Sequence, residues 1–193
     1  MKDVATLILD TETGGLEDRH PTIELAAIAV RGWEEVAQFE RRIRFDEAAC
    51  DPEALKLNSY DPDVWALEAI PPMDALADFA RWCSDYADVE KVSRRTGGAY
   101  KVARCSGWNV AFDCRRLERG FKASGMFLPA DTYQALDWLQ VARGYFWDAE
   151  KRPENLKLTT VAEWFGIPTD GAHGALADCR LTLGVARRLT VRD

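Results

Sequence analysis

Leu7-Ile8-Leu9-Asp10-Thr11-Glu12-Thr13-Gly14-Gly15-Leu16 is the stretch whose reading decides the fold. An apolar run from Val4 to Leu9 ends in two carboxylates one residue apart. Side chains alternate along a strand, so Ile8, Asp10 and Glu12 share a face. Two like charges on one face of a buried strand end are costly unless something positive lies between them. A divalent cation meets that need, and Mg²⁺ and Mn²⁺ are the oxygen-seeking choices. Taken alone, an Asp-x-Glu reads more simply as a strand running into a solvated acidic turn. The cation reading therefore requires further ligands elsewhere.

Working outward, Ile23–Val30 reads as a nearly continuous apolar strand, and Glu35–Phe45 as a third with rough alternation. Short connections favour an antiparallel meander. Asp51-Pro52 opens a capped helix, while Asp61-Pro62 and Pro71-Pro72 mark turns. Met73–Tyr86 has helical apolar spacing. Val102–Trp108 is a short strand, with Asn109 placed to cap a helix that Gly125 stops. Gln134–Asp137 is a brief fifth strand. Helices follow over Leu139–Phe146 and Leu156–Phe165, the latter stopped by Gly166, and from Ala175 to about Val191. The expectation is α/β: a central mixed five-stranded sheet, its first three strands antiparallel, flanked by helices. One domain over residues 1–193 is expected, since no linker or repeat interrupts the chain.

Two of the helices carry an anomaly. Asp113 falls between Val110 and Leu117 on an inward stripe, and Asp178 repeats this between Ala175 and Leu181. Two inward aspartates and the strand-end pair suit a four-carboxylate cluster able to hold two divalent ions. His173 precedes Asp178 by five residues, about 140° away if both were helical. It converges only from a loop, which Gly171 and Gly174 permit. There a neutral imidazole could accept a proton from water; the other reading is a solvated loop histidine.

Composition narrows the options. The chain has 193 residues, 47% hydrophobic and 30% charged, with net charge −7, which speaks against broad non-specific binding of duplex nucleic acid. No segment reads as a membrane span or signal peptide. Five dispersed cysteines without a Cys-x-x-Cys read as reduced thiols in a cytoplasmic protein. Residues 91–104 run against the overall charge: Lys91, Arg94, Arg95, Lys101 and Arg104 occur there with no acidic residue. They read as a basic hairpin or loop around Thr96-Gly97-Gly98, either a phosphate-contacting rim (Arg94, Arg95, Lys101) or a solvated surface loop.

The motifs Asp10–Leu16, Trp108–Asp113 and His173-x-x-x-x-Asp178 resemble, in order, those of the DEDDh class of 3′→5′ exonucleases. This is the DnaQ-like family of the ribonuclease H-like superfamily. The resemblance runs from about Val4 to Leu189 and includes Leu158–Ile167, similar to the helix before the third motif. It implies a ribonuclease H-like fold and metal-dependent removal of nucleoside 5′-monophosphates from single-stranded 3′ ends, DNA somewhat preferred. An exoribonuclease of the same fold and a catalytically silent nucleic-acid-binding module are the alternatives. It further implies that Asp10, Glu12 and Asp178 hold one Mg²⁺ or Mn²⁺, that Asp10 bridges to a second, and that Asp113 supports the second directly or through water. His173 would be the general base. Thr11, Thr13, Gly14, Leu16, Asn109 and Phe112 would line the terminal-nucleotide pocket. Gly14 departs from the threonine many members carry, and Trp108 from the histidine common before the asparagine. The chain stops soon after the third motif, without the polymerase-docking tail of some proofreading subunits, which speaks against a polymerase partner. A homodimer is common among such proteins.

Overall fold

The second strand is the least ambiguous element: Ile23, Leu25, Ala26, Ala27, Ile28 and Ala29 have no exposed surface, so both of its faces are covered. It is the centre of a meander in a computed structural model that describes residues 4–169 and 174–190. Strands β1 (Thr6–Thr13), β2 (Thr22–Arg31) and β3 (Glu34–Arg42) pair antiparallel. One turn of 3₁₀ helix, Glu47–Ala49, leads to α1 (Pro52–Leu57), α2 (Pro62–Glu68) and α3 (Pro72–Ser84). Then come β4 (Val89–Val92), β5 (Ala99–Gly107), α4 (Ala111–Ser124) and β6 (Ala130–Asp137). Helices α5 (Trp138–Tyr145), α6 (Leu158–Trp164) and α7 (Ala175–Thr190) complete the described chain.

β5 joins β1 in parallel, so the sheet runs β3-β2-β1-β5, with β6 parallel and β4 antiparallel to β5. The sheet thus has six strands where five were expected. The additional strand is β4, the first arm of the basic segment, whose second arm is continuous with β5. That continuity also moves the start of β5 from Val102 back to Ala99. β6 likewise begins at Ala130, because the parallel pairing to β5 overrides the polar character of residues 130–133.

Alternation divides the core. Leu7 and Leu9 of β1, with Ala103 and Cys105 of β5, pack on Phe79 and Cys83 of α3 and on Val110, Leu117 and Phe121 of α4. Ile8, with Ala26 and Ile28 of β2, meets Ala175, Leu176, Cys179 and Leu183 of α7 on the other face. Trp138, Ala142, Val161, Val185 and Leu189 tie α5 and α6 to α7. Full burial of each large side chain contributes roughly 1.5–3 kcal/mol.

Two local expectations are corrected. Asp61-Pro62 begins a helix instead of marking only a turn: Asp61 Oδ1 accepts from Asp63 N at 2.9 Å, Pro62 takes the first helical position, and buried Trp65 anchors the element. Asn109 does not cap α4 through its side chain. Val110 holds the cap position without a side-chain bond, and Asn109 makes the turn between β5 and α4 with φ 57°. All five cysteines are free thiols. No helix among the described residues is long and apolar enough to cross a membrane.

Candidate metal centre

Asp10 and Glu12 leave β1 on the face that Ile8 shows to α7. Asp178 lies on the first turn of α7, on the face that packs against that strand. One carboxylate oxygen from each of the three lies within 4.8 Å of the others. Asp113 comes from the opposite layer, on α4, and is 4% exposed. Its Oδ1 accepts two hydrogen bonds from Thr11, from the backbone N–H at 3.0 Å and from the hydroxyl at 2.5 Å. The inward stripes predicted for α4 and α7 therefore converge on β1 from both sides. Thr11, facing away from Asp10 and Glu12, fixes the fourth carboxylate.

The electrostatics follow from this crowding. Burial, then the charges of Asp113, Glu12, Asp178 and Glu24, holds the Asp10 carboxyl well above the usual carboxylate range. Burial and the same kind of repulsion push Glu12 up to about 7. Burial also brings Asp113 to about 7, against the lowering effect of the Thr11 bonds. A set of carboxylates that repel one another in a half-buried cleft fits a hard divalent cation, and all of the donors are oxygens.

Glu24 is the acidic residue that sequence reading missed. It pairs with Glu12 in the β1–β2 register, is 4% exposed, and is raised to about 7 by burial and by Glu40. Its signal was a lone charge inside the otherwise apolar run Ile23–Val30.

The segment after β1 is a braced lip. Gly14 N donates to Pro21 O at 2.8 Å, Asp51 N to Gly14 O at 2.7 Å, and Asn58 Nδ2 to Thr13 O at 2.8 Å. Thr13 Oγ1 donates to Gly15 O at 2.9 Å. A Cβ at Gly14 would lie 2.3 Å from Cys50 Sγ, which is the local reason for glycine there. Arg116, not foreseen from sequence, holds the lip from the other side. Its guanidinium donates to five carbonyls: Gly15 (3.1 Å), Leu16 (3.1 Å), Glu17 (2.8 Å), Asp18 (3.3 Å) and His20 (2.9 Å). It also lies over the Phe112 ring, 4.8 Å from the centroid. Leu16 at the crest is 86% exposed, available to a ligand. Asn109 N donates to Asp137 Oδ1 at 3.0 Å, which places the exposed Asn109 beside the end of β6.

The other residues singled out lie elsewhere. His173 is outside the described residues. Arg94 and Arg95 are in the turn between β4 and β5 and Lys101 is on β5, toward the opposite end of the parallel strands from Asp10 and Glu12. Trp108 is partly buried and donates from Nε1 to Leu156 O at 3.2 Å, so it braces the loop before α6.

No protein-family model and no curated protein sequence matches this chain. Solved structures do. E. coli exonuclease I in complex with a dT13 oligonucleotide superposes with a TM-score of 0.77 at 20% identity, over 98% of this chain and 42% of that one. The same enzyme with a dA16 oligonucleotide gives 0.72 at 17%, over 97% and 42%. A zinc-bound form of the E. coli enzyme with single-stranded DNA gives 0.72 at 19%, over 95% and 40%. The likeness is one of fold, and this chain spans about two fifths of the length of those proteins. The ribonuclease H-like architecture expected from the motifs is the one they share.

Proposed function

We propose that this chain is a metal-dependent 3′→5′ exonuclease that removes nucleoside 5′-monophosphates from single-stranded DNA. One observation carries the reading: Asp10, Glu12 and Asp178 meet across β1 and α7, with Asp113 held by Thr11 near enough for its charge to act on Asp10. The fold shared with DNA-bound exonuclease I supports it.

Asp10, Glu12 and Asp178 would hold one Mg²⁺ or Mn²⁺, with Asp10 and Asp113 serving a second. Bound there, the cations supply Lewis-acid stabilisation of the charge that builds on the phosphodiester as it is cleaved. The remaining work falls to the chain. Thr11 orients Asp113 by two hydrogen bonds to one oxygen and opposes the upward push of burial on its carboxyl. The lip Thr13–Leu16, with Asn109 and Phe112, seats the terminal nucleotides, apolar groups gripping bases without reading sequence. His173 takes the proton of the attacking water. Arg94 and Arg95 serve as phosphate contacts away from the reacting bond. The protein works in the cytoplasm on free 3′ ends.

The test is stepwise shortening of 5′-labelled DNA and RNA oligonucleotides of matched sequence, with Mg²⁺ or Mn²⁺. DNA is cut from its 3′ end and RNA more slowly. Asp10→Ala abolishes turnover in a protein that still folds, and His173→Ala slows it by about 10² or more while cation binding persists. Inactivity on both polymers removes the enzyme reading, and faster cutting of RNA makes the chain an exoribonuclease.

A further inference from the structure

The basic segment builds something the catalytic reading does not use. Between the β4–β5 hairpin and β6 lies a groove of about 700 Å³, lined by Lys91, Arg94, Tyr100, Phe127 and Tyr133 among others. Its aromatic residues are open. Tyr133 is 93% exposed and Phe127 58%, and Tyr100 meets Phe127 edge-on at 5.8 Å. Its one acidic lining residue, Asp131, is neutralised by Lys91. Among the described residues, neither Arg94 nor the exposed Arg104 is engaged in an ion pair. A positive, aromatic groove on a chain of net charge −7 is complementary to a single-stranded polyanion with flat bases.

The sheet register ties this groove to the carboxylates. Thr6 pairs with Arg104 and Ile8 with Ser106 in parallel. Tyr100, Val102 and Arg104 therefore point to the same face as Ile8, Asp10 and Glu12. Val102, Ser106 and Ile8 on that face are buried, so the open surface toward the carboxylates runs along β6, where Leu136 pairs with Ser106 and Asp131 with Arg104 and Leu136 is 45% exposed. β6 ends at Asp137, which holds Asn109. Tyr100 stands eight strand positions from the level of Asp10, about 26 Å. That is on the order of seven nucleotides at the stacked spacing of about 3.4 Å, fewer if the strand is extended.

We propose that the groove between the β4–β5 hairpin and β6 is an upstream strand-binding site. It holds the substrate several nucleotides 5′ of the 3′ end, with a base stacked on Tyr133 and phosphates at Arg94 and Arg104. This rests on the nuclease reading for its substrate, although the site is defined by its own residues. Lys101 falls on the opposite face of β5 from Tyr100 by alternation, so it takes no part in the groove.

The experiment measures binding of fluorescent thymidine 20-mer and 3-mer DNA, with Ca²⁺ replacing Mg²⁺, to wild type, Tyr133→Ala, Tyr133→Phe and the double variant Arg94→Ala/Arg104→Ala. The side chains substituted are all on the surface, and circular dichroism checks the fold. The preference for 20-mer over 3-mer falls about five-fold or more in Tyr133→Ala, and Tyr133→Phe restores it. In the double variant the salt dependence of 20-mer binding flattens by about 0.7 for each phosphate no longer neutralised. An unchanged length preference overturns the proposal, as does equal weakening on both oligonucleotides or a wild type that fails to bind the 20-mer. Wild type that binds the 20-mer but does not shorten it in Mg²⁺ removes the nuclease reading and leaves the groove standing.

Discussion

Arg116 shows how much one side chain can organise. A planar guanidinium suits carbonyls arrayed around its edge, and here five of them come from residues 15–20. Lysine keeps the charge but not the fork. Arg116→Lys is expected to raise KM about ten-fold with a smaller change in kcat, because the lip loosens while the carboxylates stay in place. The same substitution leaves buried carbonyls unpaired and should cost about 1–3 kcal/mol in urea unfolding. A fall in kcat at constant KM would show that the lip acts on chemistry and not on seating. None of this was readable from sequence. An arginine three residues after Asp113 looks like any solvated helix position until the loop folds over it. Asp113 was readable for the opposite reason, since a charge inside an apolar stripe is anomalous by itself.

Between elements, the junction that matters is the parallel approach of β5 to β1. Gly107 permits it: a Cβ there would lie 2.7 Å from Leu9 O and 2.9 Å from Val110 Cγ2. Gly107→Ala must part the strands or shift Val110, one residue before α4 starts. We expect a loss of about 1–3 kcal/mol in thermal or urea unfolding. Activity should fall further than stability, since Leu9 precedes Asp10; full activity would show that the junction tolerates displacement. Elements with strong periodicity, such as α3, were legible to within two residues. Those set by pairing across the sheet were legible only in part: the basic segment was readable as a hairpin or loop, but its joining to the sheet as β4 and the start of β5, and the first half of β6, were not, because these owe their extended form to their neighbours. Asp61-Pro62 was ambiguous locally, because the same pair opens turns and helices, and burial of Trp65 decided between them.

Across the whole molecule, the crowded carboxylates set how stability responds to pH. Glu12 is raised from 4.5 to about 7 in the folded chain, so between those values the folded state binds more protons than the unfolded one. Without divalent cations, the stability associated with Glu12 is present below pH 4.5 and is lost as pH rises through about 7. Glu24 acts in the same direction. Chelated protein should therefore lose more Tm between pH 5 and pH 8 than Glu12→Gln does, as read by differential scanning fluorimetry. Added Mg²⁺ should raise Tm more at pH 8 than at pH 5, where protons compete for the same oxygens. An identical pH response in wild type and Glu12→Gln would show that the crowding is relieved without a cation.

The carboxylates also arrive from both layers of the molecule and at very different times. In chain order Asp10 and Glu12 come first, Asp113 follows with α4, and Asp178 comes on the last described helix. A nascent or partly melted chain that lacks a docked α7 has an incomplete centre. On the proposed nuclease reading, such a molecule would lack the full carboxylate set that cleavage needs. On that reading, cleavage would be licensed by completion of the fold and would need no separate inhibitor.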